Sequence, residues 1–76
     1  MKARKKREIK FAICIVDSEP DLEIRKVYKV LPDQSAEKEE HLRVVDESGE
    51  DYLYPVKFFA PVEVSEEAER ALSLAS

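Results

Sequence analysis

Four carboxylates crowd one short stretch, Asp46-Glu47-Ser48-Gly49-Glu50-Asp51, and they are the first residues in this chain that could do chemistry. Acids at that density suit either a divalent cation or a basic partner. A calcium loop of the EF-hand kind needs oxygen ligands at fixed positions over about twelve residues, closing on a bidentate glutamate, and this spacing does not supply them. A catalytic carboxylate pair needs a cleft that raises one pKa, which the tip of a turn does not offer. The simpler reading is a set of solvated turn acids. Cys14 stands between Ile13 and Ile15 with no basic neighbour in sequence, so it reads as a small buried hydrophobe rather than a nucleophile. His41 follows two glutamates and is expected at the surface. With one cysteine and one histidine in the whole chain, no structural zinc site can be assembled, and one glycine cannot build a phosphate cradle. No catalytic, metal or cofactor set emerges, and a non-catalytic protein is expected.

Two further groups of side chains bear on binding. Tyr52 and Tyr54 share one face of a strand-type run, and Leu53 points the other way. If Leu53 enters the core, both tyrosines stand outside beside Pro55 and, with Glu50 and Asp51, form a contact surface for a protein or peptide. The competing reading puts the tyrosines in the core or under a C-terminal helix. The second group is Lys2, Arg4, Lys5, Lys6 and Arg7, five bases without an acid. Such an arm contacts phosphates weakly and with strong salt dependence, which gives an alternative function as a nucleic-acid-associated accessory protein. Against it, residues 8–76 keep eight bases and all seventeen acids, a balance of −9, and show no basic stripe with interleaved aromatics. A solubilising tail, or an arm folded onto its own acidic body, is the simpler account.

The elements that must position these groups can be read in order. Residues 1–7 form a basic flexible arm. From Glu8 to Val16 the residues alternate: Ile9, Phe11, Ile13 and Ile15 fall on one face and Lys10, Ala12, Cys14 and Val16 on the other. The bulkier face is expected in the core, with the C-terminal segment covering the smaller one. Asp17 to Asp21 is a loop by composition, and Leu22 and Ile24 are expected to pin its far end. Val27 to Leu31 is a strand stopped by Pro32, and Ala36 to Glu39 form a helical turn. Leu42–Val45 and Tyr52–Tyr54 flank the acidic turn as a hairpin with a loop of about three to five residues, in which Gly49, the lone glycine, takes the positive-φ position. Pro55 ends the second strand, since it brings no N–H to a ladder. Phe58 and Phe59 suit a single tight turn, at least one of them plugging the end of a small barrel, and Pro61–Val64 runs extended. Ser65 is placed to cap a last helix, with Glu66 and Glu67 facing its dipole and Ala68, Leu72 and Ala75 along one side.

Gly49, the run Leu53-Tyr54-Pro55-Val56-Lys57-Phe58-Phe59, and then Val62 resemble the closing half of a Src-homology-3-type barrel. In that family a glycine-bearing hairpin leads to a proline-initiated 3₁₀ turn and a last short strand. The resemblance implies an all-β, Src-homology-3-like small barrel of about five strands over residues 8–64, with a short C-terminal helix or tail over 65–76. The chain has neither the Ala-Leu-Tyr-Asp-Tyr signature nor a tryptophan, with which peptide-binding members grip proline-rich ligands. The longer run from Tyr28 to Glu63 also resembles small, uncharacterised bacterial proteins carrying an Asp-Glu-Ser-Gly-Glu-Asp-Tyr-Leu-Tyr-Pro segment, a match that implies no function.

Totals bound the rest. A chain of 76 residues makes one domain and buries about 60–65% of the surface its unfolded form exposes. Its 39% charged and 43% hydrophobic content fits a small, well-solvated folded domain rather than a disordered segment. No apolar run approaches the roughly 18 residues that span a bilayer, and the basic start lacks the apolar core of a signal peptide. A cytoplasmic monomer of bacterial type, without membrane contact, is the expectation.

Overall fold

A computed structural model of the protein describes residues 9–74. Five strands, β1 (Phe11–Cys14), β2 (Val27–Leu31), β3 (His41–Val45), β4 (Asp51–Pro55) and β5 (Phe59–Val62), form one antiparallel sheet in the order β4-β3-β2-β1-β5. A short helix α1 (Gln34–Lys38) joins β2 to β3, a 3₁₀ turn (Val56–Phe58) joins β4 to β5, and α2 (Glu66–Leu74) follows β5.

Strand β2 serves two ladders. Its residues 27–29 pair with β1 (Phe11↔Lys29, Ile13↔Val27), whereas Val30 and Leu31 pair with β3 (Val30↔Val44, Leu31↔Arg43). The β3–β4 hairpin keeps full register from His41↔Pro55 to Val45↔Asp51. Its loop is three residues long, because Asp46 N–H donates to the Glu50 carbonyl at 3.1 Å and Gly49 N–H to the Asp46 carbonyl at 3.0 Å. Gly49 has φ +87°, the left-handed conformation that a turn followed by such a residue needs. The Tyr54–Pro55 bond is trans.

Ala12, Cys14, Leu22, Tyr28, Val30, Leu42, Val44 and Phe59 make the buried core, with Tyr54 and Phe58 packed against it. Phe59 is thus the plug expected from the Phe58–Phe59 pair. Burying a side chain such as Val44 is worth roughly 1.5–3 kcal/mol. The core face of β1 is the reverse of the one bulk suggested. Ala12 and Cys14 are fully buried, while Ile13 is partly buried and Ile15 is 51% exposed. Strand β1 is paired on both sides, and the space above its core face is already filled by Tyr28, Leu22 and Phe59, which leaves room for small residues only. Phe11, on the other face, is buried as well and lines a hollow of about 660 Å³ with Leu72 of α2. Leu72 of the C-terminal helix therefore lies on the Phe11 side, not over the small-residue face, and Glu69 of the same helix pairs at the surface with Lys10 at 3.5 Å.

Of the two residues expected to pin the first loop, Leu22 is buried and Ile24 is 39% exposed. Helix α1 begins earlier than the expected turn, because Asp33 caps it by accepting from Ala36 N–H at 3.0 Å. Ser65 caps α2 as expected, its Oγ accepting from Ala68 N–H at 3.1 Å.

Candidate functional site: the acidic turn and β4

The turn acids are not all solvated. Asp46 is 5% exposed. Its Oδ1 accepts from the Ser48 hydroxyl at 2.5 Å and the Ser48 N–H at 2.9 Å, and its Oδ2 accepts from the Tyr54 hydroxyl at 2.6 Å. Burial alone raises its pKa, but the bonds from Ser48 and Tyr54 outweigh it, and the carboxyl sits below its ordinary range. The Tyr54 phenol is driven upward by burial and by its bond to Asp46.

Glu47 fastens the turn to the rest of the protein. Its Oε2 accepts from Lys26 Nζ at 2.6 Å and from the Tyr28 hydroxyl at 2.5 Å, and its backbone N–H donates to the Asp21 carbonyl at 2.9 Å. The same Tyr28 oxygen accepts from Glu23 N–H at 2.7 Å. The bond from Lys26, then that from Tyr28, holds the Glu47 carboxyl below its usual value. Two loops far apart in sequence, 17–26 and 46–50, therefore meet. This meeting was invisible in the sequence, since only the long-range Glu47 contacts bring it about.

Along β4 the expected contact residues divide. Tyr52 is 50% exposed, and its hydroxyl donates to Glu50 Oε1 at 3.1 Å. That bond is the main cause of its raised pKa, with Asp46 and Asp21 contributing at longer range. Tyr54 faces inward, half-buried, packing edge-on against Phe59 with ring centroids 6.1 Å apart. Leu53, which the outward placement of both tyrosines required in the core, is 46% exposed on the opposite face. The tyrosine side of β4 is thus the core side, and Tyr52 is half exposed on it although its cross-strand partner Val44 is fully buried. Pro55 is half-buried, and Glu50 and Asp51 are exposed. Beside Leu53, the cross-strand Arg43 bonds Asp33 through Nε at 2.8 Å and Asp51 through Nη1 at 2.9 Å. Arg43 is a residue the sequence reading passed over, and its only signal there was alternation along β3.

The remaining candidates are quickly placed. Cys14 is buried, its thiol 3.1 Å from the Val16 carbonyl. His41 is half-buried, with Nδ1 2.7 Å from the Glu39 carbonyl. Among the described residues no group of three or more His, Cys, Asp or Glu is placed to hold a metal ion, and no helix is long and apolar enough to cross a membrane. Lys2, Arg4, Lys5, Lys6 and Arg7 lie outside the described residues. No family model, curated protein or solved structure matches the chain.

Proposed function

We propose that the protein is a non-catalytic protein- or peptide-binding module on a Src-homology-3-like small barrel, with β4 and its acidic turn as the contact surface. The barrel reading is supported by the strand order, by β2 serving one ladder with each half, and by the proline-led 3₁₀ turn between β4 and β5. The observation that carries the binding reading is Tyr52: an aromatic ring half in solvent, beside Glu50, on a strand whose next tyrosine is locked to Asp46 and Phe59. A ring presented by a rigid strand loses little conformational entropy on binding, and flanking carboxylates favour a basic partner.

The test is a screen of a short-peptide library against the full chain. Tyr52→Ala and Glu50→Gln are expected to abolish or strongly weaken retention of the selected peptides with thermal unfolding unchanged. A library that yields no binders, or binders indifferent to both substitutions, refutes the surface. Tyr54 is not a suitable probe, because its side chain is part of the packing.

A further inference from the structure

Strand β4 ends the sheet: it pairs with β3 and, among the described residues, with no other strand. The phase of that ladder is fixed at both ends. Asp46 N–H donates to the Glu50 carbonyl, and Val56 N–H donates to the Glu40 carbonyl at 2.9 Å, so both are directly opposed, hydrogen-bonded pairs. Such pairs alternate along an antiparallel ladder, which makes 44/52 and 42/54 the bonded pairs between them. Asp51 and Leu53 then turn their N–H and C=O groups away from β3, and Pro55 turns its carbonyl alone. No backbone bond outside the ladder uses the Asp51 or Leu53 groups among the described residues. The side chain at the centre of this free edge is Leu53, 46% exposed.

Free edges invite another strand, and proteins usually blunt them. Here Pro55 and Asp51 blunt the ends and Leu53 leaves the middle open. The charge around the edge is negative. Arg43 meets two carboxylates, Asp33 and Asp51, and Glu50 stands on the tyrosine side. We propose that β4 takes its partner by strand addition: an extended segment carrying an apolar residue and, two positions along on the same face, a basic one docks antiparallel on the edge, its main chain bonded to Asp51 and Leu53. An apolar side chain of the segment meets Leu53, and a Lys or Arg two positions along meets Asp51. A second copy of the chain fits worse. Antiparallel pairing of two β4 strands about Leu53 sets Asp51 opposite Pro55, which has no N–H for the Asp51 carbonyl, and gathers the acids of both copies on one ribbon.

This inference rests on reading β4 as the contact surface and adds the mode of contact and the chemistry of the partner. It is tested by NMR titration of the full chain with a short capped peptide that carries valine and lysine two positions apart, separated by threonine, so that both fall on one face. The expected result is shifts centred on the Asp51 and Leu53 amides, with their hydrogen exchange slowed about tenfold or more. N-methylation of the peptide backbone is expected to weaken binding by about tenfold, and a valine–glutamate peptide is expected not to bind. Leu53→Pro removes an outward N–H that the β3 ladder does not use, and is expected to keep the fold and lose the peptide. If that variant does not fold, Asp51→Asn serves, with weakened peptide binding expected. If the N-methylated peptide binds as well as its parent, strand addition is wrong while the surface survives. If no β4 amide responds to either peptide, the partner chemistry is wrong, and the Tyr52→Ala screen decides the surface separately. Shifts at Asp51 and Leu53 that appear on concentrating the protein alone would make a second copy the occupant and overturn the proposal.

Discussion

The Tyr54 hydroxyl donates to Asp46 Oδ2 at 2.6 Å, joining the first residue of the acidic turn to the strand that leaves it. The bond closes the hairpin from its core side, while Ser48 occupies the other carboxylate oxygen from the turn side. Asp46→Ala strands the half-buried Tyr54 hydroxyl and frees the Ser48 N–H. A loss of about 1–3 kcal/mol is expected, read as a fall in the urea midpoint without a change in slope. Tyr54→Phe in the Asp46→Ala background should cost less than Tyr54→Phe alone, since the partner is already gone. Equal costs in both backgrounds would show that the pair contributes nothing.

Acid should unfold the protein through the turn. The ordinary values of Asp46 and Glu47 are 3.8 and 4.5, and in the fold both lie lower. The unfolded chain therefore binds protons more readily than the folded one as pH falls. The stability these carboxylates contribute is fully present above their unfolded values and is lost as pH drops through the folded ones. Urea midpoints should hold steady above about pH 5 and decline below the ordinary carboxylate range. An Asp46→Asn, Glu47→Gln double variant should start lower and decline less steeply; a decline as steep as the parent's would place the acid-sensitive groups elsewhere.

The alkaline limb has the opposite sign. All three tyrosines ionise above their ordinary 10.0 in the fold: Tyr28 by burial and its bond to Glu47, Tyr54 by burial and its bond to Asp46, Tyr52 by its bond to Glu50. A raised folded value favours the protonated fold, so this stability is intact below 10.0 and lost as pH climbs through the folded values. Near-ultraviolet phenolate absorbance should show no tyrosine titrating at its free value, with ionisation of Tyr28 and Tyr54 coinciding with unfolding. If Tyr54 in Asp46→Ala still ionises with the parent's delay, Asp46 is removed as a cause.

How far the sequence foretold this depends on the range of the interactions. The hairpin, the proline-led turn and the Ser65 cap were legible because residues within a few positions determine them: Gly49 for the positive φ, Pro55 for the missing N–H, Ser65 for the cap. The face of β1 was not. Both its faces are apolar, and bulk favoured the wrong one, because the choice depends on what Tyr28, Leu22 and Phe59 already fill. The division of β4 had the same cause, since alternation puts Tyr52 and Tyr54 on one side without saying which side is core. The clasp of Glu47 on Lys26 and Tyr28, and the position of β4 at the end of the sheet, follow from strand order, which no local pattern encodes.

Glu40 and Gly49 make a matched pair for backbone strain. Gly49, at φ +87°, has nothing within 4 Å of the position a Cβ would take, so Gly49→Ala adds no clash and isolates the cost of a side chain in the left-handed region, about 1–2 kcal/mol. Glu40, at φ +60°, already bears that cost just after α1, where helices favour glycine. Its carbonyl accepts from Val56 N–H, a backbone bond that any residue can keep. Glu40→Gly should therefore stabilise by about 0.5–1 kcal/mol, the relief of strain exceeding the added freedom of the unfolded chain. Thermal unfolding of the two single variants checks both, with midpoints expected to move in opposite directions. A lowered midpoint for Glu40→Gly would mean that its side chain makes a contribution larger than the strain it carries.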